Sequence, residues 1–136
     1  MDGRVVWLDG NPVQARADAQ GQARGPAIDL AQALADRLGR RLEVSAVVGP
    51  AAVLDRLKRG EADIAFVAYD PARAEGLTFT PPYLMSLNRF AVRKGSPIVA
   101  QDQVDRAGVR IGAIATDAGG LFLQRTLKAA TLVPTA

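Results

Sequence analysis

Leu57-Lys58-Arg59-Gly60-Glu61-Ala62-Asp63-Ile64-Ala65-Phe66-Val67-Ala68-Tyr69-Asp70-Pro71-Ala72-Arg73 is the stretch whose reading decides the architecture. Its first residues close a helix that opens at Gly49-Pro50 and stops at Gly60. After Glu61-Ala62-Asp63, the run Ile64 to Ala68 is continuously apolar, with the length of a strand rather than a helix. A strand without polar alternation is covered on both faces, as in a parallel sheet between layers of helices. The run ends in a polar loop, Tyr69 to Arg73.

Working back towards the start, Leu42 to Val48 is partly alternating and β-branched, so it reads as a strand. Before it, Leu30, Ala31, Leu34, Ala35 and Leu38 recur at helical spacing until Gly39. Ala15 to Pro26 is polar and glycine-punctuated and reads as a loop. Val5 to Leu8 is a short buried strand stopped by the turn formers Asp9-Gly10-Asn11-Pro12. The order β-α-β-α-β implies a mostly parallel sheet, and ligands of such sheets bind beyond the carboxyl ends of the strands. The loops after Leu8 and after Ala68 are therefore the expected site.

Working forward, Thr78-Phe79-Thr80 is a brief extended piece closed by Pro81-Pro82, and Leu87 to Arg93 reads as a long strand ending at Lys94-Gly95-Ser96-Pro97. Asp102 is placed to cap one helical turn. Val109 to Ile114 reads as a strand, Gly119 to Ala130 as a helix, and Thr131 to Val133 as the start of another strand. A first α/β lobe is expected over residues 1–92. Residues 93–136 are expected to hold a crossing segment and the beginning of an incomplete second lobe.

The 136 residues contain no cysteine and no histidine, which removes disulfides, thiolate chemistry, a Ser-His triad and the commonest metal ligand. No metal or cofactor is expected. The net charge is +3, with basic residues interspersed among acids, so a nucleic-acid partner is not expected. Neither a membrane span nor the apolar core of a signal peptide is present in the sequence.

Four stretches resemble the extracellular solute-binding proteins of family 3: Asp18 to Gly21 with Gly25 to Ala31, Leu57 to Ala65, Asp70 to Arg73, and Phe79-Thr80-Pro81-Pro82-Tyr83. Val109 to Thr116 is similar to the family's second-lobe strand and loop, with Ala115 where the family has glycine. The resemblance covers about residues 4–133. It implies a periplasmic binding protein type II, or venus-flytrap, lobe, three-layered α-β-α. Its implied role is the substrate-binding component of an ABC importer, periplasmic once its signal is removed, delivering an amino acid or related carboxylate to a membrane permease. Self-association or domain swapping through the incomplete second lobe is a further expectation.

The resemblance also implies site residues. Arg73 matches the arginine that clamps a ligand α-carboxylate, for which a planar two-pronged donor is suited; otherwise it is a surface arginine facing Asp70 or Glu75. Asp70 stands where relatives carry threonine, either buttressing Arg73 or opposing an anionic ligand. Asp9 matches the acid that receives an ammonium group, against a plain Asp-Gly turn. Ala68 and Tyr69 lie where relatives supply backbone and hydroxyl contacts, and Tyr69 also stands in for an aromatic wall missing from Asn11-Pro12-Val13-Gln14. Thr116 matches a second-lobe contact to the carboxylate, against an ordinary helix cap. Trp7, Phe66 and Tyr83 read as packing residues. The alternatives are a ligand-sensing domain of a receptor kinase and a cyclohexadienyl dehydratase-like enzyme; the leading reading is a non-enzymatic binder.

Overall fold

A computed structural model describes residues 3–9 and 11–135. The chain divides into two compact units, one up to Thr78 and one from Phe79. That division precedes the 92/93 boundary read from the sequence and assigns Phe79 to Val92 to the second unit.

The first unit is built on β1 (Gly3–Asp9), which pairs in parallel on one edge with β4 (Leu42–Val48) and on the other with β5 (Ile64–Phe66). The sheet order is β4-β1-β5. Two crossover helices make the connections, α1 (Pro26–Arg37) between β1 and β4 and α2 (Pro50–Lys58) between β4 and β5. The chain moves outward from β1 to β4 and then returns past β1 to β5. Right-handed crossovers in opposite directions place the two helices on opposite faces.

Side-chain alternation agrees with this arrangement. Val6 and Val47 point to the α2 face and pack with Val53 and Ala62, while Val5 and Trp7 are buried on the other face. Against that face α1 turns Ala27, Ala31 and Ala35, spaced four apart. Leu30, Leu34 and Leu38, expected in the apolar stripe, are exposed: small side chains let the helix backbone approach the sheet, which rotates the leucines outward.

Arg4 and Asp63 fasten β5 to β1 at the amino end. The Arg4 guanidinium donates to both carboxylate oxygens, at 2.8 and 3.2 Å, and the two residues exchange backbone contacts as well. The expected loop at residues 15–26 instead contains a small antiparallel hairpin, β2 (Arg16–Ala17) with β3 (Ala23–Arg24). Its turn is tied by Asp18, whose carboxylate accepts from the Gln20 and Gln22 N–H groups and from Arg24. The hairpin leads into α1 through Gly25, at φ 138°, where a Cβ would stand 2.7 Å from the Gln14 carbonyl oxygen.

The second unit holds a βαβ motif: β6 (Arg110–Ile114), α3 (Ala118–Thr126) and β7 (Thr131–Thr135), with β6 and β7 parallel. Val104, Ile111 and Leu123 form its core. Asp117 caps α3, accepting from the Gly120 N–H at 2.6 Å, so Thr116 does not serve as the cap. The helix ends earlier than Ala130 because Asp105 accepts the N–H groups of Lys128, Ala129 and Ala130, holding them in a bend. Gln103, not Asp102, closes the short 3-10 turn Gln101–Gln103 by accepting from Val99 and Ala100. Leu87 to Arg93, expected as a strand, belongs to no sheet and is exposed. A strand forms only against a neighbouring edge, and none of the described strands lies against this one.

Two outcomes are expected. A Cβ at Gly120 would collide with the Ile114 carbonyl, so Gly120→Ala should cost at least about 2 kcal/mol in urea denaturation. The Arg4 guanidinium, and then the Arg4 N–H, hold the Asp63 carboxyl at about 2. Its contribution is therefore complete above the ordinary carboxylate value and is lost as pH falls towards 2. Acid melts of Asp63→Asn should show a smaller fall in Tm between pH 4 and pH 2 than the parent chain. Because the pair is partly exposed, the difference should shrink with added salt.

Candidate functional site

β1 and β5 run parallel with Trp7 opposite Phe66, so their carboxyl ends fall on one edge of the sheet. Asp9, the last residue of β1, and Ala68-Tyr69-Asp70, just past β5, are therefore neighbours by register. Connections leave β1 and approach β5 on opposite sides, which makes this pair of strands the topological switch point of the sheet. Asp9 and Tyr69 are exposed, and Phe66 is partly buried in the strand. Gly10, on which the expected Asp-Gly turn falls, lies outside the described residues.

The loop after β5 is closed by its own charged residues. Asp70 accepts the Ala72 N–H on its Oδ1 at 2.9 Å and the Arg73 N–H on its backbone oxygen at 2.9 Å, capping the 3-10 turn Pro71–Arg73. The Arg73 side chain folds back, and its Nη1 donates to the Ala68 carbonyl at 2.9 Å. Asp70 is 3% exposed and Arg73 5%. Arg73 is thus not a surface arginine: it braces the loop that carries Ala68 and Tyr69. Asp70 supports the turn from which Arg73 projects, and the loop has no net formal charge.

One polar group was missed by sequence reasoning. Gln14 stands in the loop after β1, held by its own N–H to the Asn11 carbonyl, and its Oε1 is buried with no hydrogen-bond partner among the described residues. Thr116 belongs to the second unit, exposed between the carboxyl end of β6 and the Asp117 cap. No group of acidic side chains suited to a metal ion occurs among the described residues.

A parallel α/β lobe of this topology has the type II periplasmic binding protein fold, which solved structures share. An ancestral amino acid-binding protein, a precursor of cyclohexadienyl dehydratase, superposes with a TM-score of 0.81 at 21% identity, over 98% of this chain and 61% of that one. A protein from Wolinella succinogenes DSM 1740, assigned as the binding component of an ABC transporter and complexed with lysine, gives 0.77 at 19%, over 98% and 59%. The cysteine-binding protein of Campylobacter jejuni gives 0.72 at 19%, over 98% and 54%. The sequence matches the bacterial extracellular solute-binding proteins, family 3, over residues 5–126, and the chain belongs to that family. It spans little more than half the length of these solved relatives.

Removing the Arg73 side chain takes away the brace on Ala68 from a buried position. Arg73→Ala should therefore destabilise the first unit by about 2 kcal/mol, against about 1 kcal/mol for loss of the turn cap in Asp70→Ala. Chemical denaturation of both variants measures this, and a cost within about 0.5 kcal/mol of zero for Arg73→Ala would mark it as a surface residue.

Proposed function

We propose that this chain provides the ligand-binding lobe of a periplasmic solute-binding protein that captures an amino acid or related carboxylate and presents it to the permease of an ABC importer. The observation that supports it best is the buried Arg73 in the loop after β5, on the sheet edge that also carries Asp9. A guanidinium held in a low-dielectric loop forms stronger charge-assisted bonds to a carboxylate than one in water. In this reading Arg73 receives the ligand carboxylate, a role to which the family resemblance also assigns Thr116. Asp9 receives the ammonium, Tyr69 lies along the ligand side chain, and Ala68 contributes backbone contacts. Gln14 Oε1 offers the ammonium a second acceptor.

The family membership and the lysine and cysteine ligands of the solved relatives are consistent with this class of ligand. The proposed role is binding without turnover. Asp70, the carboxylate in the Arg73 loop, is engaged in capping the Pro71–Arg73 turn through the Ala72 N–H.

Titration of the isotopically labelled chain with lysine, arginine, cysteine and glutamate, followed by amide chemical shifts, tests the reading. The expected result is saturable change at Asp9, Gln14 and Ala68 to Arg73 for at least one of them. Arg73→Lys should weaken it by about tenfold, because an ammonium lacks the two-pronged donor. Absence of change with all four, or equal affinity in a folded Arg73→Lys variant, would refute the carboxylate clamp.

A further inference from the structure

The ligand edge of the first unit carries an imbalance of charge. Asp70 and Arg73, in the loop after β5, are 3% and 5% exposed, so two opposite formal charges are buried within one turn. Asp9, at the end of β1, is exposed on the same edge of the sheet. Together these side chains carry one more formal negative charge than positive. The sign survives a wider count. The hairpin, the first turn of α1 and the residues after Arg73 add Asp18, Asp29 and Glu75 against Arg16 and Arg24, with Arg24 already paired to Asp18. Asp29 offsets the positive end of its own helix, and setting it aside leaves the edge negative still.

Burial makes this balance consequential. Opposite charges in a low-dielectric loop offset one another, and a further charge brought to that loop is screened far less than it would be in water. On the proposed reading a ligand carboxylate is received at Arg73, whose formal charge Asp70 already matches. The loop then holds two negative groups for one positive. A ligand with a cationic side chain restores neutrality at the edge, a simple zwitterion leaves it negative, and an acidic side chain adds to the excess.

We infer that Asp70 is a specificity-determining residue, whose buried carboxylate selects an amino acid with a cationic side chain over its uncharged and acidic counterparts. The inference rests on the proposed carboxylate clamp and narrows it, since acidic amino acids and dicarboxylates fall outside the class. The selection needs no contact between Asp70 and the ligand, because charge acts across a low-dielectric loop at a distance. Asp70 has a second task, capping the Pro71–Arg73 turn by accepting the Ala72 N–H at 2.9 Å. That task needs an oxygen acceptor and no charge. Asparagine at this position keeps the cap and removes the charge, which separates the two roles.

Titrating the whole chain with lysine, glutamine and glutamate, which step the ligand side chain through positive, neutral and negative, tests the assignment. Lysine is expected to bind most tightly and glutamate least. Asp70→Asn should narrow the preference for lysine over glutamate by about tenfold, with a smaller change for glutamine. A purely structural role for Asp70 would shift all three ligands together. Glutamate binding to the parent chain at least as tightly as lysine would overturn this inference and leave the clamp standing, as would an unchanged preference in a folded Asp70→Asn chain. If Asp70→Asn does not fold, the ranking in the parent chain decides. Absence of binding by all three ligands overturns the inference, and absence with arginine and cysteine as well overturns the clamp with it.

Discussion

β1 is laddered along both of its edges, and both ladders are parallel. That constraint governs the first unit. Parallel pairing sends every carboxyl end to one edge, so Asp9 and the Ala68–Asp70 loop fall on the same edge of the sheet although they are distant in sequence. It also requires a crossover over each face, which buries β1 on both sides and accounts for Val5, Val6 and Trp7 being almost inaccessible. Arg4 and Asp63 lock the amino ends of β1 and β5, which leaves their carboxyl ends in a defined relation.

The loop after β5 is held by its own charged residues. Arg73 and Asp70 spend hydrogen bonds on their own loop, on the Ala68 carbonyl and the Ala72 N–H respectively. A guanidinium positioned by a backbone bond loses less conformational freedom on meeting a carboxylate than a mobile one does. The same bonds make the loop part of the folding unit, so the Arg73 side chain contributes to the stability of the first unit.

The second unit follows a different economy. Its βαβ motif is stapled by three short-range devices, the Asp117 cap, the Asp105 carboxylate on the bend after α3, and the close contact that only Gly120 permits. The ion pairs of Arg4, Arg24, Arg41 and Arg59 all lie in the first unit.

Much of this was legible in the residues themselves. Period and length placed strands at Val5–Leu8, Leu42–Val48, Ile64–Ala68 and Val109–Ile114; β5 stops at Phe66, short of the end of the apolar run, and β6 begins at Arg110, because pairing and not composition sets the ends. Pro26, Pro50, Gly39 and Gly60 bounded the helices for local steric reasons. The switch-point loops followed from the order of elements alone, and with them Asp9 and Ala68 to Arg73. Long-range effects were not legible. The hairpin at Arg16–Arg24 is too short for periodicity and depends on one carboxylate, Asp18. Leu87 to Arg93 has the composition of a strand but is laddered to none of the described strands, and pairing is a property of the neighbour. Sequence by itself determined the α/β alternation and the edge of the sheet where a ligand would meet it, since both follow from local pattern. Only the tertiary structure decided that Arg73 is buried against the Ala68 carbonyl and that Gln14 is enclosed without a partner, because burial and pairing depend on residues brought together from distant parts of the chain.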